Sequence, residues 1–391
     1  MARRRRTPPG TLEQLLAAKE IVICCGAGGV GKTTTAAAAG AMAAAELGGK
    51  VLVVTVDPAR RLASALGLES FGNVETRVPS EAFAAAGVDC RGELWAAMLD
   101  TKRSWDDLVH QHAPDAATRD AILLNPLYHN ITGRFVQSHD YIAMERLHEI
   151  HSSGRYDLVI VDTPPTRNAI DFLEAPERMA DFFSSRLLRW LTVPYRSRLV
   201  NAATRPFYRV ADSILGSAFL EDIAEFFLLF QTMYDGFVER ARAVQRVLED
   251  RRTTFVVVST LESAPLREAE FFMSALDDRS FHLGAVVLNK VLPEYLLDKG
   301  AAGAATRLSA DPARAAAALA EVTEAGDPES VARVIEEVAQ SFLNFRVVAS
   351  REAEQRAELA RTPDVLATAP YFDSDIHDLG GLLRLGSAVW R

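Results

Sequence analysis

The segment that most restricts this chain is Gly26-Ala27-Gly28-Gly29-Val30-Gly31-Lys32-Thr33, which fits G-x-x-x-x-G-K-[ST]. It follows an apolar run, Ile21 to Cys25, and leads into an Ala-rich stretch of helical composition. That strand-loop-helix setting predicts a phosphate cradle rather than a plain Gly-rich turn. Glycines let the loop take positive φ and turn successive N–H groups inward, and the following helix adds its positive N-terminal end. Lys32 is placed to neutralise β- and γ-phosphates and the Thr33 hydroxyl to ligate Mg²⁺. The nucleotide-contacting set read from the loop is Gly26, Ala27, Gly28, Gly29, Val30, Gly31, Lys32, Thr33 and Thr34.

A metal-bound triphosphate also needs a carboxylate at the end of a neighbouring strand, and Tyr156-Asp157-Leu158-Val159-Ile160-Val161-Asp162 supplies Asp162 as the second metal ligand. Hydrolysis further needs a group that orients or deprotonates water. Asp57, which ends the run Val51 to Val56, is the expected catalytic carboxylate beside Lys32, because parallel topology brings that strand end next to the phosphate loop. The tetrapeptide Asp57-Pro58-Ala59-Arg60 recurs as Asp311-Pro312-Ala313-Arg314 with no strand before it, so alone it is only a helix start. Its place after a buried strand is what assigns Asp57 to the water. Asn289-Lys290 follows another strand; a guanine-reading N-K-x-D would need Asp where Leu292 stands, so adenine is expected, with the Asn289 amide on the base edge.

Short Val- and Ile-rich runs separated by helical patterns predict a doubly wound, mostly parallel α/β sheet. The strands expected are Ile21 to Cys25, Val51 to Val56, Leu94 to Leu99, Leu158 to Val161, Thr254 to Ser259 and Ala285 to Leu288, with Val365 to Ala369 as a seventh. Some intervals are too long for one crossover helix, which predicts helical insertions at about 101–150 and 168–252 within a single domain, 11–391. In the second insertion, Phe219, Ile223, Phe226, Phe227, Phe230, Met233, Tyr234 and Phe237 share one helical face, and Phe182, Phe183, Leu187 and Trp190 mark an earlier helix. Those faces suit ordinary core packing or a groove for a hydrophobic client helix. Gly300 to Arg361 reads as helical, with Asp311-Pro312 and Asp327-Pro328 as caps and first residues. There is no internal repeat and no second phosphate loop.

With 391 residues and 49% hydrophobic, the chain can bury a full α/β core and an added lobe. A net charge of -9 argues against general nucleic-acid binding. Arg3 to Arg6 lie in residues 1–10, read as a disordered, solvated basic tail. Three cysteines, two of them adjacent, fit no disulfide framework and predict a reducing, cytoplasmic setting, with peripheral work at a membrane left open. No apolar run reaches the roughly 20 residues of an integral span. Cys24 and Cys25 alternate faces of one strand, so with Cys90 they cannot converge on one metalloid ion.

Together these residues resemble the family of the arsenical-pump ATPase and the cytosolic targeting factor for tail-anchored membrane proteins. The resemblance rests on Gly26 to Thr35, on Asp57-Pro58-Ala59 as a switch I-like stretch, and on Asp162-Thr163-Pro164-Pro165-Thr166 beside the family's D-T-A-P-T switch II. Leu94 to Asp100, Glu262, Asn289 and the Pro370 loop echo it more weakly. It implies a doubly wound sheet with a helical lobe, Mg-ATP at a dimer interface opened and closed by hydrolysis, and a role in anion transport or hydrophobic-client handling. Pro370 joins the nucleotide-contacting set on this ground.

The chain also departs from the family pattern. A second lysine, which in the family reaches the other subunit's nucleotide, is replaced by Ala27; Arg167-Asn168 stand where Gly-His is usual, and Arg60 where His often follows switch I. The zinc-binding C-x-x-C is absent. The missing lysine predicts a heteromer with a paralogous ATPase subunit, with Arg60 or Arg167 as the alternative cation. A low-turnover nucleotide-binding regulatory subunit is the competing reading. A partition or positioning ATPase is another, sharing the loop but lacking the D-T-P-P-T string; its lipid contact would fall on Leu379 to Trp390.

Overall fold

The computed structural model describes residues 10–56, 60–68, 72–99, 101–129, 136–184, 226–231, 233–321, 327–359 and 363–391. Strands in chain order are β1 (Ile21–Cys25), β2 (Lys50–Thr55), β3 (Thr76–Arg77), β4 (Glu93–Met98), β5 (Leu158–Asp162), β6 (Thr253–Ser259), β7 (Leu283–Val291) and β8 (Val365–Pro370). They form one sheet in the order β3-β4-β2-β5-β1-β6-β7-β8, and every neighbouring pair is parallel except β3–β4. This is the doubly wound α/β architecture that the sequence predicts.

The continuous apolar runs of β1, β5 and β6 follow from burial on both faces, since each is buried along its whole length. On the face that carries Cys24, the sheet is covered by helices Leu12–Leu16, Lys32–Met42 and Leu379–Trp390. The face that carries Cys25 packs against Val136–Ser152, Thr166–Ser184, Tyr234–Glu249 and Ser263–Asp278. The expected alternation of the two cysteines is therefore met by two separate cores. Register does the rest: Cys24 and Thr55 both align with Asp162, which sets the C-terminal ends of β1, β2 and β5 side by side.

A third apolar cluster lies in the helices that precede and follow β5. Trp105, Tyr128, Tyr141, Phe226, Phe230 and Phe237 are buried together there, with Phe230 and Phe237 stacked at 5.7 Å between ring centroids. Of that stripe, Phe226, Phe230, Met233 and Phe237 thus serve as core, and the Tyr234 side chain lies outside the described residues. Phe219, Ile223, Leu187 and Trp190 lie outside the described residues. Between β7 and β8 come helices Lys299–Ala310, Pro312–Ala320 and Pro328–Leu359. Asp311 caps the second of these by accepting from the Arg314 amide at 3.1 Å, and Asp327 accepts from the Ser330 amide at 3.0 Å.

Two differences from the sequence reading stand out. Thr76–Arg77 pairs antiparallel with β4 as an edge strand, and two residues carry no periodicity to detect. Leu379–Trp390, weighed as a lipid contact, buries Leu382, Leu383, Leu385, Val389 and Trp390 against the helix Lys32–Met42. Gly386 lets the two helices approach, because a Cβ there would collide with Met42. Among the described residues, no helix is long and apolar enough to cross a membrane.

Candidate nucleotide site

The phosphate loop starts where β1 ends and closes into the helix Lys32–Met42, whose N-cap is Gly31. Gly26, Gly29 and Gly31 have φ of 155°, 79° and 96°. Two of these could not be other residues: a Cβ at Gly26 would strike the Val258 carbonyl, and one at Gly31 the Asn289 amide. The loop thus carries three glycines at positive φ and leads straight into the positive end of a helix, a backbone arrangement suited to an anion.

Three charged or hydroxyl groups converge behind it. The Thr33 hydroxyl donates to Asp162 Oδ2 at 2.6 Å, and the Thr55 hydroxyl donates to the same oxygen at 3.1 Å. Asp162 is buried at the end of β5. Lys32 is 8% exposed and its ammonium donates to the Ala27 carbonyl at 2.9 Å, so the lysine folds back across the mouth of the loop. A carboxylate and a hydroxyl at hard-oxygen spacing beside a glycine cradle fit a Mg²⁺-bound phosphate. Thr33 and Asp162 are the residues that would hold the ion.

Asn289 ties the loop to the far strand. Its Nδ2 donates to the Val30 carbonyl at 2.8 Å, and its Oδ1 accepts from the Lys290 amide at 2.9 Å. An amide nitrogen carries two hydrogens, so one Nδ2 hydrogen remains beyond this bond. Lys290 adopts φ of 59°, at the irregularity where the register between β7 and β8 shifts between Leu288 and Val291. Pro370 ends the adjacent strand β8, aligned with Val291 and exposed, and the Tyr371 amide donates to the Val291 carbonyl at 3.0 Å. Asn289 and Pro370 therefore sit at one end of the sheet, on neighbouring strands.

Asp57 lies outside the described residues, as do the side chains of Arg60 and Arg167. What is described is the end of β2 that leads to Asp57: the Val56 amide donates to the Asp162 carbonyl at 3.2 Å, which pins the chain beside Asp162 one residue before Asp57. Ala27 is 5% exposed, and its methyl belongs to the core on the Cys24 face. Sequence reading missed Thr55 and Thr163. The Thr163 hydroxyl donates to the Cys24 carbonyl at 2.9 Å and locks the start of the Asp162–Thr166 segment onto β1. Thr55 was visible as a polar residue closing an otherwise apolar strand.

The model of the anion-transporting ATPase family matches residues 19–334 of this chain. The chain belongs to that family. Two Aquifex aeolicus (strain VF5) proteins named provisionally as arsenical pump-driving ATPases 1 and 2 are similar to it. The first is 26% identical over 261 residues, 65% of this chain and 59% of its own length. The second is 23% identical over 267 residues, 65% of this chain and 75% of its own length. This member of the anion-transporting ATPase family thus spans about three-fifths of the first relative. Among its described residues no group of His, Cys, Asp and Glu could hold a metal ion by itself. Burial raises the Cys24 thiol well above its ordinary range and that of Cys25 to about 12, so both are neutral packing groups.

Proposed function

We propose that this chain is a Mg-ATP hydrolase that works as a dimeric conformational switch. The observation that carries the reading is the convergence of Thr33, Thr55 and the buried Asp162 directly behind a glycine loop that opens a helix. Loop amides and the Lys32 ammonium hold the β- and γ-phosphates, Lys32 leaving the Ala27 carbonyl to do so. Asn289 holds the loop in shape and offers its remaining amide hydrogen to adenine, with Pro370 at the same edge. Mg²⁺, when bound, supplies positive charge to the phosphate oxygens. Asp57, carried one residue past Val56, orients the attacking water and accepts its proton. Loss of the γ-phosphate would release the Asp57 and Asp162 segments and so move the helical lobe that flanks β5. That lobe, within a single domain spanning 11–391, is where a hydrophobic client or a transported anion's partner would be sensed.

The test separates binding from chemistry. Lys32→Ala should abolish tight binding of a fluorescent ATP analogue. Asp57→Asn keeps shape without charge, so its affinity should stay near wild type while single-turnover hydrolysis falls about 100-fold or more. Equal loss of binding in both variants would falsify the role given to Asp57. The second reading, a low-turnover regulatory subunit, is favoured by Ala27, whose methyl is buried in the core where the resembling family carries a lysine. Slow wild-type hydrolysis with intact binding would select it.

A further inference from the structure

The helix Pro328–Leu359 has two distinct faces. Ile335, Ala339, Phe342, Arg346 and Ala349 are buried or half-buried, and the helix packs against Lys299–Ala310 and Pro312–Ala320. A second stripe is exposed: Val334, Val338, Phe345 and Val348 are 58%, 65%, 52% and 46% accessible, with exposed Ser341 between them. Their spacing of four, three, four and three residues is the 3.5-residue repeat of a coiled-coil seam, and Val347, 54% accessible, lies beside it. Over 14 residues the stripe runs about 21 Å along the helix.

We propose that this stripe binds the same stripe of a second copy of this chain, in antiparallel orientation. Charge and size decide the orientation. Two heptads separate Glu337 from Arg351, and both flank the seam on one side, exposed and without an ion pair among the described residues. Antiparallel packing centred between them sets Glu337 against Arg351 of the second copy, twice by symmetry, and Asn344 against its own equivalent. The same register places Val338 against Val348 of the second copy, and bulky Phe345 over small Ser341. A parallel pair would stack Phe345 on Phe345, layer Ser341 on Ser341 and bring neither charge to its opposite. The seam is far from β1 in sequence and uses no residue of the phosphate loop, so the association needs no nucleotide. Its short length puts it at the weak, transient end of protein interfaces.

The experiment uses the full chain without nucleotide and with a chelator present. Wild-type protein should show a concentration-dependent dimer by sedimentation velocity, and Val338→Glu should weaken it at least about 10-fold. Glu337→Arg and Arg351→Glu should each weaken it as well, and the double variant should restore it. Asn344→Cys in a Cys90→Ser background should cross-link to a covalent dimer with a short bis-maleimide, whereas Glu329→Cys should not. These substitutions lie on the surface, and circular dichroism confirms folding. A wild-type chain that stays monomeric to about 200 µM overturns the proposal, that ceiling lying far above a useful affinity. So does a dimer indifferent to Val338→Glu, or a double variant that fails to recover, which would leave the stripe to a foreign hydrophobic helix.

Discussion

Asn289 ties the end of β7 to the glycine loop through one side chain. Its amide fills the space a Cβ at Gly31 would occupy and satisfies the carbonyl of buried Val30. Asn289→Ala strands that carbonyl, a loss of about 1–3 kcal/mol when a buried acceptor goes unmet. The expected result is a lower urea midpoint together with weaker ATP binding. A variant that loses affinity while keeping its midpoint would mean that Asn289 reads the base without shaping the loop. The two buried thiols give a residue-scale expectation about pH. Burial raises the Cys24 and Cys25 pKa values, the latter to about 12, so the folded chain holds protons that the unfolded chain releases from about pH 8.5 upward. Their stabilising contribution is complete below that pH and is lost as pH rises toward 12, with a slope of at most about 1.4 kcal/mol per pH unit for each thiol. At pH 8 a maleimide should label half-buried Cys90 in the native chain and reach the other two only after denaturation. Native labelling of Cys25 would show that β1 opens.

At the scale of elements, legibility followed burial. The runs Ile21 to Cys25 and Thr254 to Ser259 are apolar because both sheet faces are covered, and such runs announce themselves. β7 extends to Val291, past the expected Leu288, because polar Asn289 and Lys290 interrupt the apolar run by which a strand is recognised. β3 went unseen, and the partner of Leu379–Trp390 could not be read either: an apolar helix face states that it is covered, not by what. Glycines inside helices were equally mute. Gly40 sits where the helix Lys32–Met42 crosses the sheet, and a Cβ there would collide with Val53 and touch Leu94 and Ile160. Gly40→Leu should therefore cost about 1–3 kcal/mol by overpacking. Because the same helix begins at Lys32, lifting it from the sheet should also weaken nucleotide binding. Calorimetric unfolding with and without ATP would show both effects. A stability loss with unchanged affinity would mean that the helix N-terminus is anchored independently of its middle.

At the scale of the whole molecule, the phosphate loop was legible because its chemistry demands fixed residue types at fixed spacing, whereas the need for a cation from a second subunit is an expectation drawn from Ala27 alone. A methyl packed into the core cannot reach another subunit's phosphates. If the chain paired only with itself around nucleotide, both sites would lack a cation that stabilises developing charge, a contact class worth about 3–4 kcal/mol where measured. A paralogous chain that keeps its own lysine would restore that charge at the site formed by Lys32 and Asp57. The expectation is slow ATP turnover by the purified chain alone and a large gain on adding such a paralogue. This nucleotide-dependent pairing is separable from the seam on Pro328–Leu359: it should need ATP, respond to Asp57→Asn and ignore Val338→Glu. Sedimentation velocity with ATP, run on the chain alone and then with candidate paralogues, supplies the mass, and phosphate release supplies the rate. Rapid turnover by a homodimer that gains nothing from any paralogue would sink the heteromer. It would move attention to Arg60 and Arg167, whose substitution by alanine should then cost the same 3–4 kcal/mol, about 100- to 1,000-fold in rate, that the family's lysine would have supplied.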